Sequence, residues 1–317
     1  MKLLNRELIF PLDDAPTPSC HASTICRNAD GALLSAWFGG SRESADDVEI
    51  WLSRRGADSV AWEKPVQMSA PSECACWNPV LYADGNRVTL FFKRSKKIAH
   101  WQTFVRRSED GGRTWTEEAE LIPGDDSGGR GPVKNKPILL TDGTIIAGAS
   151  HESEDASRWD AFCDRSSDGG FSWTRTDYLR TEPYVKLIQP TLWQDENGVH
   201  ALLRSAAGWL YRADSADGIH WSDAFPTGMP NNNSGVDLTR LPDGTLALVC
   251  NPVGENWGAR SPLSLFLSSD GGQSWQKELD LAEGEGEYSY PAVQWTGERL
   301  EITFTYRRRG VMWCELA

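Results

Sequence analysis

Ser108-Glu109-Asp110-Gly111-Gly112-Arg113-Thr114-Trp115 decides the fold, because the chain repeats it three more times. The other copies are Ser166-Ser167-Asp168-Gly169-Gly170-Phe171-Ser172-Trp173, Ser215-Ala216-Asp217-Gly218-Ile219-His220-Trp221 and Ser268-Ser269-Asp270-Gly271-Gly272-Gln273-Ser274-Trp275. A worn fifth copy runs from Ser53 to Trp62. Self-similarity at a period of about fifty residues signals a modular architecture. The phrase reads as a hairpin turn with its own anchor. Asp accepts from backbone N–H groups just ahead of it, Gly supplies positive φ, and the closing Trp plugs the turn onto its sheet.

A second repeat runs out of phase with the first. A polar head, a short apolar run, an Asp-Gly-like turn and a second apolar run recur six times. The copies run from His21 to Gly31, Trp77 to Gly85, Asn135 to Gly143, Gln189 to Gly198, Asn233 to Gly244 and Tyr290 to Gly297. Each is strand, hairpin, strand. With Trp-anchored turns between most copies, each unit holds about four strands. Six such units predict an all-β, six-bladed β-propeller occupying residues 1–317 as one domain. The 15 Trp and 29 Gly suit many short strands joined by tight turns. Glu117 to Glu120 is the best helical candidate, and it is a poor one. Glu301 to Arg307 alternates cleanly and is expected to pair with Leu8-Ile9-Phe10, closing the ring and removing exposed edges.

A net charge of −13 disfavours binding to bulk nucleic acid or an anionic membrane. The first residues lack the apolar core of a signal peptide, and no apolar run reaches the roughly 20 residues of a membrane span. The seven cysteines are odd in number and scattered, so they read as reduced thiols of a cytoplasmic protein. Cys74-Ala75-Cys76 has no partner pair at metal-site spacing, and strand alternation scatters Asp46, Asp47 and Glu49 over two faces. No metal or other cofactor is implied, and no feature sets an oligomeric state.

In a propeller the first strand of each blade lines the axis, so the heads of those strands converge on one funnel. Here the heads are His21, Trp77 with Asn78, Lys134 to Lys136, Gln189, Asn233 with Asp237, and Tyr288 with Tyr290. Aromatic walls with converging amides and cations describe a carbohydrate pocket. Three arginines occupy related places. Arg42 follows the Phe38-Gly39-Gly40 turn, Arg204 closes the second strand of the fourth unit, and Arg260 precedes the last Trp-anchored turn. A guanidinium grips a carboxylate with two parallel N–H groups.

With its Asp boxes, six units and these arginines, the chain resembles the sialidase (neuraminidase) superfamily over nearly its whole length. The stretch Ala36 to Ile50 is similar to the sialidase segment that carries a substrate-binding Arg and the acid/base Asp. The resemblance implies that Arg42 contacts ligand and that Asp46 or Asp47 donates the proton. It makes Arg204 and Arg260 two of three arginines on the substrate carboxylate, and Tyr288 the nucleophile, with Tyr290 as alternative. Two positions depart from the family pattern. His21 stands where the first arginine is expected, and Gln189 where the glutamate that activates the tyrosine is expected. His21 is then the candidate base.

Three functions follow from this reading. The first is an exo-acting glycoside hydrolase on a terminal acidic sugar such as sialic acid, with Arg42, Arg204, Arg260, Gln189, Asn78, Lys134, Asp237 and Tyr290 around the substrate. The second is β-elimination at a uronic acid, using His21 and Tyr288 as base and acid. The third is a propeller that binds glycan or protein without turning it over. His21, Asp46 or Asp47, Arg204, Arg260 and Tyr288 are expected to line one cavity.

Overall fold

The structure, a computed structural model, describes residues 1–317. Every Asp-Gly-like pair turns a hairpin where the sequence places it. Gly31, Gly85, Gly143, Gly198, Gly244 and Gly297 all have positive φ at the turn between the first and second strands of a sheet. Each Asp box joins the third strand to the fourth, as Ser108–Trp115 does between Gln102–Ser108 and Ala119–Glu120. The result is six four-stranded antiparallel sheets, arranged as a six-bladed β-propeller.

The boxes are built as their residues dictate. Asp110 Oδ1 accepts from the backbone N–H of Arg113 and Thr114, at 3.1 and 2.8 Å, and Oδ2 accepts from Thr114 Oγ1 at 2.7 Å. Gly111 and Gly112 carry φ of 71° and 82°, and Trp115 Nε1 donates to Gly112 O at 3.2 Å. The third box is one residue shorter, and His220 Nδ1 meets Asp217 Oδ2 at 2.8 Å where the others use a hydroxyl. Arginines on third strands lash three of the four boxes to the blade before. Arg54 Nε donates to Gly111 O, Arg107 Nη2 to Gly170 O and Arg212 Nη1 to Gly271 O.

The core lies between blades. Six apolar clusters each bridge one neighbouring pair of sheets. Inward and outward side chains of a strand therefore both find apolar partners, which is why the strands read as nearly continuous hydrophobic runs.

Closure differs from the expected pairing. The N-terminal strand Leu3–Leu8 pairs with Gly310–Leu316, in register from Leu3↔Leu316 to Leu8↔Met312, while Leu300–Tyr306 lies one strand further in. The chain folds back once more at Tyr306–Arg309, where Arg307 and Arg308 have φ of 54° and 57°. Two successive positive φ values are the mark of a type I′ hairpin, usually made by Asn-Gly, so arginines there conceal the turn. Ile9 and Phe10 instead pack between the sixth and first blades. Glu117–Glu120 is not helical, since Ala119–Glu120 is an outer strand, and Ile98–His100 is a single 3₁₀ turn. No helix is long and apolar enough to cross a membrane.

Candidate active site

Alternation of strands sets two different faces. First strands run from the head to the Asp-Gly hairpin, and third strands run the same way to the Asp box. All hairpins and boxes therefore share one face. The heads and the loops joining second to third strands share the other.

On that face the innermost strands are distorted in a repeating way. Ala22, Asn78, Lys134, Gln189, Asn233 and Tyr290, one per blade, have φ between 38° and 78°. Pairing slips at the same place in four blades, between His21 and Thr24, Trp77 and Val80, Ile188 and Thr191, and Ser289 and Ala292. These are bulges, and a bulge re-aims side chains that strict alternation would send elsewhere. Gly235 leaves room at the hub. A methyl there would sit 3.0 Å from Lys134 Cε and 3.3 Å from Gln189 Oε1 and Tyr290 Cδ1.

The bulged heads floor a cavity of 330 Å³. His21, Asn78, Gln189, Arg204 and Tyr290 come from the strands, Glu43, Trp101, Trp257, Arg260 and Arg308 from the second-to-third-strand connections of four blades, and Glu152 and Trp159 from the paired strand ends that flank that connection in the third blade. Tyr290 Oη accepts from Arg204 Nη1 at 2.6 Å, and its ring lies 4.1 Å from that of His21. Arg204 also donates to Asn233 Oδ1 at 2.7 Å and to Gln189 Oε1 at 3.2 Å, leaving Nη2 without a protein partner. Arg260 Nη1 and Arg308 Nε both hold Glu287 Oε1 at 2.8 Å, and Arg308 Nη1 holds Glu43 at 2.6 Å. Arg260 keeps N–H groups to spare, whereas Arg308 is occupied at both ends.

The electrostatics follow from this crowding. Burial holds the imidazole of His21 well below its ordinary pKa, and Arg308, Arg260 and Arg204 push it further down. His21 is therefore neutral at pH 7, with Nδ1 2.9 Å from Thr305 Oγ1. Glu287 is raised by burial but Arg260 and Arg308 override that and keep it ionised. Glu152 moves the other way, because burial raises it against the opposing pull of Arg204 and Lys186.

Residues 31–302 match the family described as BNR repeat-like domain. The chain belongs to that family. As a BNR propeller it shares its fold with a Dyadobacter fermentans protein of unknown function (TM-score 0.80, 14% identity, covering 99% of this chain and 98% of that one). It is similar also to the NanB sialidase of Streptococcus pneumoniae (TM-score 0.74, 13% identity, 100% of this chain and 71% of that one). Trypanosoma rangeli sialidase in complex with the inhibitor DANA matches at TM-score 0.73 and 13% identity, over 95% of this chain and 55% of that one. The BNR propeller thus spans about half of the T. rangeli enzyme. No curated protein matches the chain.

The structure brings His21, Trp77, Asn78, Gln189, Arg204, Arg260 and Tyr290 together in the cavity. It places the other expected residues elsewhere. Tyr288 packs between the fifth and sixth blades, donates to Glu285 O at 3.0 Å and accepts from Arg307 Nε at 3.1 Å. Tyr288 and Tyr290 would share a face by alternation, and the bulge at Tyr290 separates them. Arg42, Asp46 and Asp47 are exposed on the loop of residues 41–47. Asp47 clamps its base through Ser41 N and Oγ, and only Glu43 of that loop lines the cavity.

Lys134 and Asp237 sit beneath the floor. Lys134 Nζ crosses the axis to Val236 O at 2.7 Å and to Pro291 O, and burial pulls it down to about 7. Asp237 accepts from Lys136 Nζ, Thr191 Oγ1 and Val293 N. Both are saturated ties of the hub. Glu43, Glu152, Trp159, Trp257 and Arg308 are cavity residues outside the strand heads, the three arginines and the Asp46-Asp47 pair that the sequence singles out. Their signal was the tryptophans and charges in and beside the second-to-third-strand connections of five blades, the fourth blade's Ala206-Ala207-Gly208 having neither.

Proposed function

We propose that this BNR propeller is a glycoside hydrolase that releases a terminal acidic sugar, with Tyr290 as its nucleophile. One observation carries the reading. A phenol, a neutral imidazole and guanidinium groups with unused N–H donors meet in a cavity of 330 Å³. The unused donors of Arg204 and Arg260 suit a sugar carboxylate. A sugar carrying its carboxylate at the anomeric carbon repels an anionic nucleophile, and a neutral phenol escapes that repulsion. The phenol needs a base. Gln189 cannot serve, and His21 is the neutral base in contact with the ring.

The surrounding arginines weaken His21 as a base in the free protein. An arriving carboxylate neutralises part of that field, so an acidic substrate strengthens the base it requires. Arg308 of the sixth blade adds positive charge near His21, where the first blade has no arginine, while its Nε and Nη1 stay on Glu287 and Glu43. The test is turnover of 4-methylumbelliferyl α-sialosides beside neutral umbelliferyl glycosides. Release from the acidic glycosides alone supports the reading, and release from none of them overturns it.

A second reading is favoured by the pairing of neutral His21 with Gln189 and Arg204. In β-elimination at a uronate, the amide and guanidinium would neutralise the carboxylate while His21 takes the adjacent proton and Tyr290 protonates the leaving oxygen. That reaction leaves an unsaturated, ultraviolet-absorbing product, which hydrolysis does not.

A further inference from the structure

We propose that Glu152 is the acid of this site, protonating the leaving oxygen and afterwards taking the proton of the water that frees the sugar. The inference rests on the hydrolase reading. Glu152 ends the second strand of the third blade, opposite Trp159 in register, and lines the cavity. Its carboxyl makes no hydrogen bond or ion pair within the protein. The other carboxyls nearby are committed. Glu43 is paired with Arg308, Glu287 is held by Arg260, Arg308 and Ser289 Oγ, and Asp47 is spent on Ser41.

Arg204 of the fourth blade and Lys186 just ahead of it are the cations that face Glu152, and Lys186 Nζ already donates to Ala156 O at 2.7 Å. Burial outweighs both and raises the proton affinity of the carboxyl. A cavity-lining carboxyl with no protein partner and a raised proton affinity has what a general acid needs. Arg204 faces Glu152 and also donates to Tyr290 Oη, so acid and nucleophile stand around one guanidinium.

The steps balance. The glycosidic C–O bond breaks as the leaving oxygen takes the proton of Glu152. Tyr290 Oη bonds to the anomeric carbon and passes its own proton to His21. Water then attacks that carbon and gives a proton to Glu152. The tyrosyl bond breaks, and Tyr290 recovers its proton from His21.

The experiment compares wild type with Glu152→Gln on two substrates. In 4-methylumbelliferyl α-sialoside the leaving group departs without help, and in sialyllactose it needs a proton. The variant is expected to lose about 10²–10⁴-fold in kcat/KM on sialyllactose, less than ~10-fold on the umbelliferyl substrate, and the basic limb of its pH profile. Equal losses on both substrates, or no loss, overturn the proposal. A wild type inactive on both overturns the hydrolase reading instead. The proton itself is read without turnover. A protonated-carboxyl infrared band that Glu152→Gln removes, and that titrates at higher pH than the ordinary carboxyls, supports the assignment, and a Glu152 band that titrates with or below them overturns it.

Discussion

Two tyrosines two residues apart have opposite surroundings, and the difference predicts opposite phenotypes. Tyr290 reaches the cavity and Arg204, whereas Tyr288 is sealed between blades with its hydroxyl donating to Glu285 O. Tyr290→Phe should lower kcat on the order of 10³-fold or more while an acidic sugar still binds. Tyr288→Phe should cost about 1 kcal/mol of stability and leave kcat within about threefold of wild type. Steady-state kinetics with a thermal melt of each variant checks both. Reversed phenotypes would move the nucleophile to Tyr288. The tyrosine segment as a whole was legible in the sequence. The choice within it was not, because it depends on a bulge that composition does not announce.

At the scale of the element, the Asp box is an electrostatic turn with a pH signature. Asp168 is held far below the ordinary carboxylate range, first by Ser172 Oγ, then by the Ser172 backbone N–H and Ser166 Oγ. Asp110, Asp217 and Asp270 are depressed likewise. A depressed carboxylate contributes stability above its unfolded pKa of about 4 and loses it as pH falls toward the folded value. Asp168→Asn should therefore lower Tm at pH 7 and make a shrinking difference below about pH 4. A difference that stays constant with pH would show that the charge is not what holds the turn.

His200 has the opposite sign. Burial lowers it, but hydrogen bonds to Asp214 and Asp195, at 2.5 and 2.9 Å, win and raise it. Its contribution is complete below the unfolded pKa of about 6.5 and fades as pH rises through the higher folded value. His200→Gln should cost more Tm at pH 6 than at pH 9, and an equal cost at both would refute the ion pair. The boxes could be read from sequence because every bond lies within seven residues. The triad around His200 could not, since Asp195 and Asp214 meet it only across a hairpin and a neighbouring strand.

For the whole molecule the decisive joint is the seam. Leu3–Leu8 completes the sixth blade from the opposite end of the chain, and the sixth blade is the one with no Asp box because its fourth strand comes from the N-terminus. Removing residues 1–8 would leave Gly310–Leu316 as an unpaired edge, open to other chains. We expect a Tm roughly 5 °C or more lower, at about 2–4 °C per kcal/mol, together with concentration-dependent aggregation by light scattering. An unchanged melt would mean that the ring holds without its seam.

The sequence by itself determined the six-unit, four-strand architecture, the face that gathers strand heads, and seven of the residues that line the cavity. These are short-range matters, because turn chemistry and period-2 alternation act within a few residues and recur with the repeat. Only the tertiary structure decided which tyrosine faces the ligand, that Lys134 and Asp237 brace the hub beneath it, and that Glu43, Glu152 and Arg308 arrive from three different blades. Such groups are brought together by closing the ring, and their charges set one another's protonation only at distances that closure creates.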